Sequence, residues 1–280
     1  MPGKTLIIGC GYIGLPLALD LQAKGHEISA WVHSTATAAA LVPHGFRRTI
    51  IGSVGDAGIW ANLDRDYDLG IHCASSSRGG EAAYEEVFHQ GALRISENLP
   101  NTRKLFVSST SVYGQIHGEI VTEESPAEPS TATGKILRAA EKIVLEVGAT
   151  VVRSSGIYGP DRGVLFEKFR KGEAVIEGDG RRWINQIHQR DLVAALVHLI
   201  AAGNPGEIYN ATDDTPVTYL DYYAWCAEFL RQAMPPFGPV NTQRKRGLTN
   251  KRVSNAKLRA TGWTPLYPSF REGIAAMAGS

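Results

Sequence analysis

Residues 5–14 read TLIIGCGYIG: a short apolar run, Thr5–Ile8, that turns through Gly9, Gly11 and Gly14 into a helical stretch near Leu15–Lys24. A second apolar strand follows near Glu27–Val32. The glycines stand as G-x-G-x-x-G directly after a strand and at the opening of a helix, the setting in which that motif is informative. The first glycine permits a tight turn, the second lets a diphosphate approach the main chain, and the third lets the helix pack closely on the strand. The helix start then offers unpaired N–H groups and a partial positive charge to phosphate. These residues predict dinucleotide binding, with Gly9, Gly11, Tyr12, Ile13 and Gly14 lining the turn.

Working outward, apolar strands recur at Leu69–Ala74, Lys104–Ser108 and Thr150–Arg153, separated by helical stretches at Ala82–Asn98 and Gly134–Val147. In the last of these, Ile136, Ala139, Ala140, Ile143, Val144 and Val147 fall at helical spacing and predict the packed face. Arg138, Glu141, Lys142 and Glu146 then belong to a polar face. Short strands alternating with helices predict the α/β class: a doubly wound parallel sheet of Rossmann type, covered on both faces. After Pro160 the rhythm loosens into helices near Val164–Lys171, Asp191–Ala202 and Tyr219–Gln232, with a turn at Glu177–Arg182 and a proline-rich loop. The expected organisation is a dinucleotide-binding domain over 1–160 and a smaller C-terminal substrate lobe over 161–280, with late segments returning to the Rossmann core.

The 280 residues are 43% hydrophobic and 20% charged with a formal charge of +1, which suits a globular protein and gives no global pull toward nucleic acid. Five basic residues crowd Arg244–Arg252. A solvated loop is the plain reading, a contact for an anionic substrate or partner the sharper one. No aromatic residues interleave them, so no nucleic-acid partner is expected. No apolar stretch approaches ~18 residues, and the N-terminal run is too short for a signal core, so no membrane partner is expected either. Cys10, Cys73 and Cys226 are odd in number, widely spaced and without a CxxC pair. They suggest neither a disulfide framework nor zinc, and a reducing cytoplasm is the expected setting. No metal-ligand or nucleophile-elbow motif is present in the sequence, and no metal is expected.

The end of the second strand reads Trp31-Val32-His33-Ser34. NAD proteins place an acid here for the ribose 2′-hydroxyl, and NADP proteins a basic group for the 2′-phosphate. Neither an acid nor an arginine is present, but His33 and Ser34 can hydrogen-bond a phosphate; a solvent-exposed loop histidine is the equal alternative for His33. The cofactor is read as NAD or NADP, with a lean to NADP.

Several segments together resemble the extended short-chain dehydrogenase/reductase superfamily, which includes NAD-dependent nucleotide-sugar epimerases and dehydratases. They are GCGYIG, the run VSSTSVYG over 107–114, the stretch ESPAEP over 124–129 leading to Lys135, and RSSGIYGP over 153–160. Gly178-Asp179-Gly180, IHQRDL over 187–192, VSNAKLR over 253–259 and Gly262-Trp263 continue the likeness across almost the whole chain. The resemblance implies a catalytic serine at Ser109 and a catalytic lysine at Lys135. Ser109 would orient a substrate hydroxyl or carbonyl, and Lys135 would hold the nicotinamide ribose. Ala74, Ser75 and Tyr158 complete the implied cofactor set; Arg181 and Arg182 fall in a region where related enzymes meet substrate phosphates, with plain surface exposure the equal alternative.

One departure stands out. Four residues before Lys135, where the superfamily carries its tyrosine, this chain has Thr131. A phenol titrates near pH ~10 and can be drawn toward neutrality by a nearby ammonium, whereas an aliphatic hydroxyl cannot. The chain thus resembles the atypical members. Thr131, Tyr113, Tyr158 and His188 are the candidate stand-ins, with packing or capping the plainer reading of Tyr113, Tyr158 and His188. The implied function is an NAD(P)-dependent oxidoreductase or epimerase/dehydratase acting on a small polar or nucleotide-linked substrate. The alternative is a non-catalytic dinucleotide-binding sensor or regulatory protein.

Overall fold

The computed structural model describes residues 2–77, 79–241 and 249–278. Its first five strands are β1 Lys4–Ile8, β2 Glu27–Val32, β3 Arg48–Ile51, β4 Leu69–His72 and β5 Arg103–Ser109. With Thr150–Ser154 and Ile208–Ala211 they form one seven-stranded sheet, in the order Ile208–Ala211, Thr150–Ser154, β5, β4, β1, β2, β3. β1 pairs in parallel with β2 on one side and β4 on the other. Leu6, Ile7 and Ile8 are accordingly buried on both faces, which is why β1 reads as a continuous apolar run. The order of connection reverses between β1 and β4, the place where open α/β sheets bind ligands beyond the strands' carboxyl ends.

The helices of this part are α1 Gly14–Ala23, α2 Thr35–Leu41, α3 Ala57–Ala61, α4 Glu81–Tyr84, α5 Gly91–Asn98 and α6 Ala132–Glu146. Between α4 and α5 the chain widens into a π-helical turn, Glu85–Gln90. The buried His72 packs against it. Its Nε2 lies 3.0 Å from the carbonyl oxygen of Val87, and a Cβ on Gly91 would come within 2.6 Å of that nitrogen. The ring thus bonds a carbonyl within the widened turn, and Gly91 leaves the space for it.

Chain contacts divide the molecule into two compact units. The sheet unit comprises the residues up to Val112, Glu128–Arg153 and Val193–Tyr209. Tyr113–Ala127, Ser154–Leu192 and the chain from Asn210 onward form the other. This second unit has its own core, with Phe166, Phe169, Ile176, Tyr222, Tyr223 and Phe270 buried together. Its short parallel pairs join Gly156–Tyr158 to Gln186–His188 and Glu119–Val121 to Lys251–Val253.

In α6 the buried positions are Gly134, Leu137, Ala140, Glu141 and Val144, while Val147 is 44% exposed. The polar assignment of Glu141 and the packed assignment of Val147 are therefore corrected. Glu141 lies on the inner face because two arginines and a serine meet its carboxylate there.

Candidate dinucleotide site

The glycine turn leaves β1 at the sheet's switch point. Gly9 has φ +91°, and a Cβ there would fall 2.3 Å from the Ala74 Cα. A Cβ on Gly14 would stand 2.3 Å from the Gly9 carbonyl oxygen and 3.1 Å from Cys73 Sγ. Both glycines are required by packing. Gly11 differs: nothing lies within 4 Å of its would-be Cβ, so its side of the turn is open. The amides of Gly9 and Cys10 both donate to the Trp31 carbonyl, at 3.0 and 2.9 Å, and Gly11 N–H donates to Gly9 O at 2.8 Å. These bonds tie the turn to β2. Ile13 precedes α1 with no side-chain cap, and no acid stands in the first turn. The helix start thus keeps its polarity for an incoming anion.

Ala74 backs directly on Gly9, and Ser75 Oγ accepts from Ser77 N–H at 3.2 Å. His33 is exposed just beyond β2. Ser34 caps α2, its Oγ accepting from Thr37 N–H at 3.2 Å. Past β3 an open cavity of about 570 Å³ is lined by Ser53, Gly55, Asp56, Ala82, Glu85, Glu86 and Gln90. Ser53 is hydrogen-bonded to Glu86 across it.

Ser109 ends β5. Its Oγ accepts from Ser111 N–H at 3.1 Å, which orients the hydroxyl and leaves its proton to donate. Lys135 is exposed one turn into α6. Thr131 is the N-cap of that helix: its Oγ1 accepts from Gly134 N–H at 3.2 Å, and its carbonyl accepts from Lys135 N–H at 3.0 Å. The Thr131 hydroxyl therefore caps the helix that carries Lys135.

Residues 5–212 match the family described as the NAD dependent epimerase/dehydratase family. The chain belongs to that family. Protein YeeZ of Escherichia coli K12 is 27% identical over 243 residues, spanning 84% of this chain and 86% of YeeZ. A candidate NAD-dependent epimerase/dehydratase of Methylobacillus flagellatus superposes with TM-score 0.78 at 29% identity, over 100% of this chain and 98% of that one. The dTDP-glucose 4,6-dehydratase DesIV of Streptomyces venezuelae, solved with NAD bound, gives TM-score 0.81 at 22% identity over 97% and 94%, a likeness of fold.

Against that family's pattern, Gly9, Gly11, Gly14, Ala74, Ser109, Thr131 and Lys135 all lie in the sheet unit. The other three proton-carrier candidates lie in the second unit with their polar atoms engaged. Tyr113 OH donates to Asn210 Oδ1 at 2.9 Å. Tyr158 OH donates to the Ser269 carbonyl at 3.4 Å, pressed against Gly273, and burial drives its pKa far up. His188 Nδ1 accepts from Arg190 N–H at 3.2 Å, and burial lowers its pKa to about 4. Its ring stands between Tyr158 and Tyr267, with centroids 5.2 and 4.3 Å away. Arg182 stacks on Tyr219 and pairs with Glu177 at 3.5 Å. Of the basic run, Arg244, Lys245 and Arg246 lie outside the described residues.

Several groups that matter escape a reading of the sequence. Asp191 is buried, accepts from the Leu266 and Tyr267 amides at 2.6 and 3.1 Å, and is raised to about 6, chiefly by burial. Asp213 is buried and raised well above the usual carboxylate range for the same reason. Glu141 looks like one more polar residue of an amphipathic helix. The only hint of its role is Arg138 three residues before it, the spacing of a helical ion pair.

Proposed function

We propose that this chain binds NAD(P) through its glycine turn and acts as an NAD(P)-dependent oxidoreductase or epimerase/dehydratase on a small polar, nucleotide-linked substrate in a reducing cytoplasm. The observation that carries the reading is the contrast among the three glycines. Gly9 and Gly14 are closed by packing, while Gly11 opens onto an uncapped helix start that fits a diphosphate. The DesIV dehydratase holds NAD on the same fold, and its name supplies the substrate class. Three free cysteines, two of them buried, suit a reducing setting.

The absence of an acid after β2, with His33 exposed there, favours NADP over NAD. The bound nicotinamide would supply or take a hydride. Lys135 would hold its ribose, Ser109 would donate its hydroxyl proton to a substrate oxygen, and Ala74 with Ser75 would flank the cofactor. Thr131 favours a second reading, a dinucleotide-binding regulator without turnover, because its hydroxyl is committed to a helix cap.

Titration with NAD, NADH, NADP and NADPH, followed by calorimetry and, for the reduced forms, by energy transfer from the protein's tryptophans to the nicotinamide, tests the cofactor. The expected result is saturable binding, tightest for NADPH, that Gly11→Asp abolishes. No association of any of the four at millimolar concentration sinks the proposal. Turnover of dTDP-glucose or UDP-glucose by the same protein supports the enzyme; binding without turnover across a nucleotide-sugar panel supports the regulator.

A further inference from the structure

Next to Ser109 in the sheet unit lies a buried polar cluster that the proposed chemistry does not use. Glu141 is 0% exposed, and its carboxylate accepts four bonds. Ser108 Oγ donates to Oε1 at 2.6 Å, Arg153 Nε to Oε1 at 2.9 Å, Arg153 Nη2 to Oε2 at 2.8 Å, and Arg138 Nη1 to Oε2 at 3.0 Å. Arg153 is 1% exposed and lies on the strand Thr150–Ser154. One carboxylate therefore joins three elements of the sheet unit: the end of β5, helix α6 and the neighbouring strand.

A buried ion pair is weak evidence for stability, since desolvation offsets most of the attraction. Its value lies in geometry: four charge-assisted bonds of fixed direction hold their donors in one arrangement. What they hold is specific. Ser108 is the residue before Ser109, on the opposite face of β5 by strand alternation. Glu141 stands six residues after Lys135 on α6, whose first turn Thr131 caps.

We infer that Glu141 is a positioning residue. It clamps the end of β5 to α6, so that Ser109 and Lys135 are presented at one fixed spacing to the nicotinamide end of the cofactor. The inference rests on the cofactor reading above for what is positioned, but the clamp itself can be tested without a ligand.

Ser108→Ala deletes the β5 end of the clamp and leaves both arginines on the carboxylate; Ser108→Thr restores a hydroxyl. Each is compared with the wild type by backbone hydrogen exchange, thermal midpoint and NADPH titration. Ser108→Ala should speed exchange at residues 109–112 about tenfold, the effect of losing one bond to a charged group, and leave β1 and α1 unchanged. It should raise the NADPH dissociation constant by a similar factor, and Ser108→Thr should return both to within about twofold. A contact that only stabilises would lower the midpoint and raise exchange across the whole unit without singling out 109–112. Wild-type exchange at 109–112 in a folded Ser108→Ala protein overturns the inference. If that variant does not fold, Glu141→Gln, which keeps one acceptor oxygen and turns the other into an amide nitrogen that cannot accept, so that two of the four bonds are lost at nearly constant volume, is read in the same way. Failure of the wild type to bind NADPH sinks the cofactor reading alone, because the exchange measurement needs no ligand.

Discussion

Acidification should destabilise the sheet unit through His72. The imidazole is fully buried at the end of β4, stacked on Phe106 with centroids 4.7 Å apart, and burial lowers its pKa to about 4. In the unfolded chain the ring titrates near ~6.5. Between these values the unfolded state binds the extra proton, so stability is fully present above pH ~6.5 and falls as the pH drops toward 4. A gap of about 2.5 units corresponds to about 3 kcal/mol, at 1.36 kcal/mol for each unit. Other groups titrate in the same range: His188 acts in the same direction, and Asp191, raised to about 6, acts in the opposite one. The comparison with His72→Gln therefore isolates the ring, because an amide can still donate to the Val87 carbonyl but does not titrate. Urea unfolding of both proteins at intervals from pH 7 to pH 4.5 is the assay. The wild type should lose about 2–3 kcal/mol more than His72→Gln over that range. Parallel pH profiles for the two would refute the assignment, and with it the account of a neutral histidine packed against the π-helical turn.

The glycine turn makes a paired prediction. Gly14→Ala forces a Cβ onto the Gly9 carbonyl and should destabilise the protein by about 2 kcal/mol or more, whereas Gly11→Ala should leave the thermal midpoint within about 2 °C yet weaken NADPH binding at least tenfold. A thermal melt and a fluorescence titration separate the two effects; equal stability loss in both variants would contradict the packing contrast. His33→Arg should raise the NADPH-over-NADH affinity ratio about tenfold, and His33→Asp should reverse the preference, both read by the same titration. Thr131→Ala should cost about 1 kcal/mol in thermal or urea unfolding as a lost N-cap, and a change below a few tenths would remove the capping role. Lys251 is buried, donating to the Tyr113 carbonyl at 3.1 Å, and burial lowers its pKa to about 8. The unfolded lysine keeps its proton up to pH ~10.4, so stability should rise by about 3 kcal/mol from pH 8 toward 10.4 in the wild type and not in Lys251→Met.

What could be read in advance depends on the distance over which each feature is encoded. The glycine turn is local: residues 5–14 contain the strand, the turn and the helix start, and steric exclusion at Gly9 and Gly14 acts mainly through near neighbours and Ala74. The alternation of β1 to β5 with helices is likewise written in runs of a few residues, and the seven-stranded parallel sheet follows from it. Thr131 marks the boundary of this legibility. Its identity is plain in the sequence, but its use as a cap depends on where α6 begins, two residues earlier than the apolar periodicity places it.

The clamp next to Ser109 lies beyond that boundary. Periodicity ranks Glu141 as polar and therefore outward, because the rule has no knowledge of Arg153, twelve residues on and on another element. A charged residue crosses to the inner face only when its partners meet it there, and the pairing with Arg153 on the next strand and Ser108 on β5, thirty-three residues away, is made by the fold and not by any periodicity along the chain. His72 follows the same logic, since a histidine in an apolar strand does not announce that it will bond a carbonyl in a turn fifteen residues later. In this protein the parts encoded locally build the dinucleotide turn. The parts that hold Ser109 and Lys135 in place are assembled only when the strand ends and α6 meet, which is why the cofactor reading stands on the sequence and the chemistry must be argued from the fold.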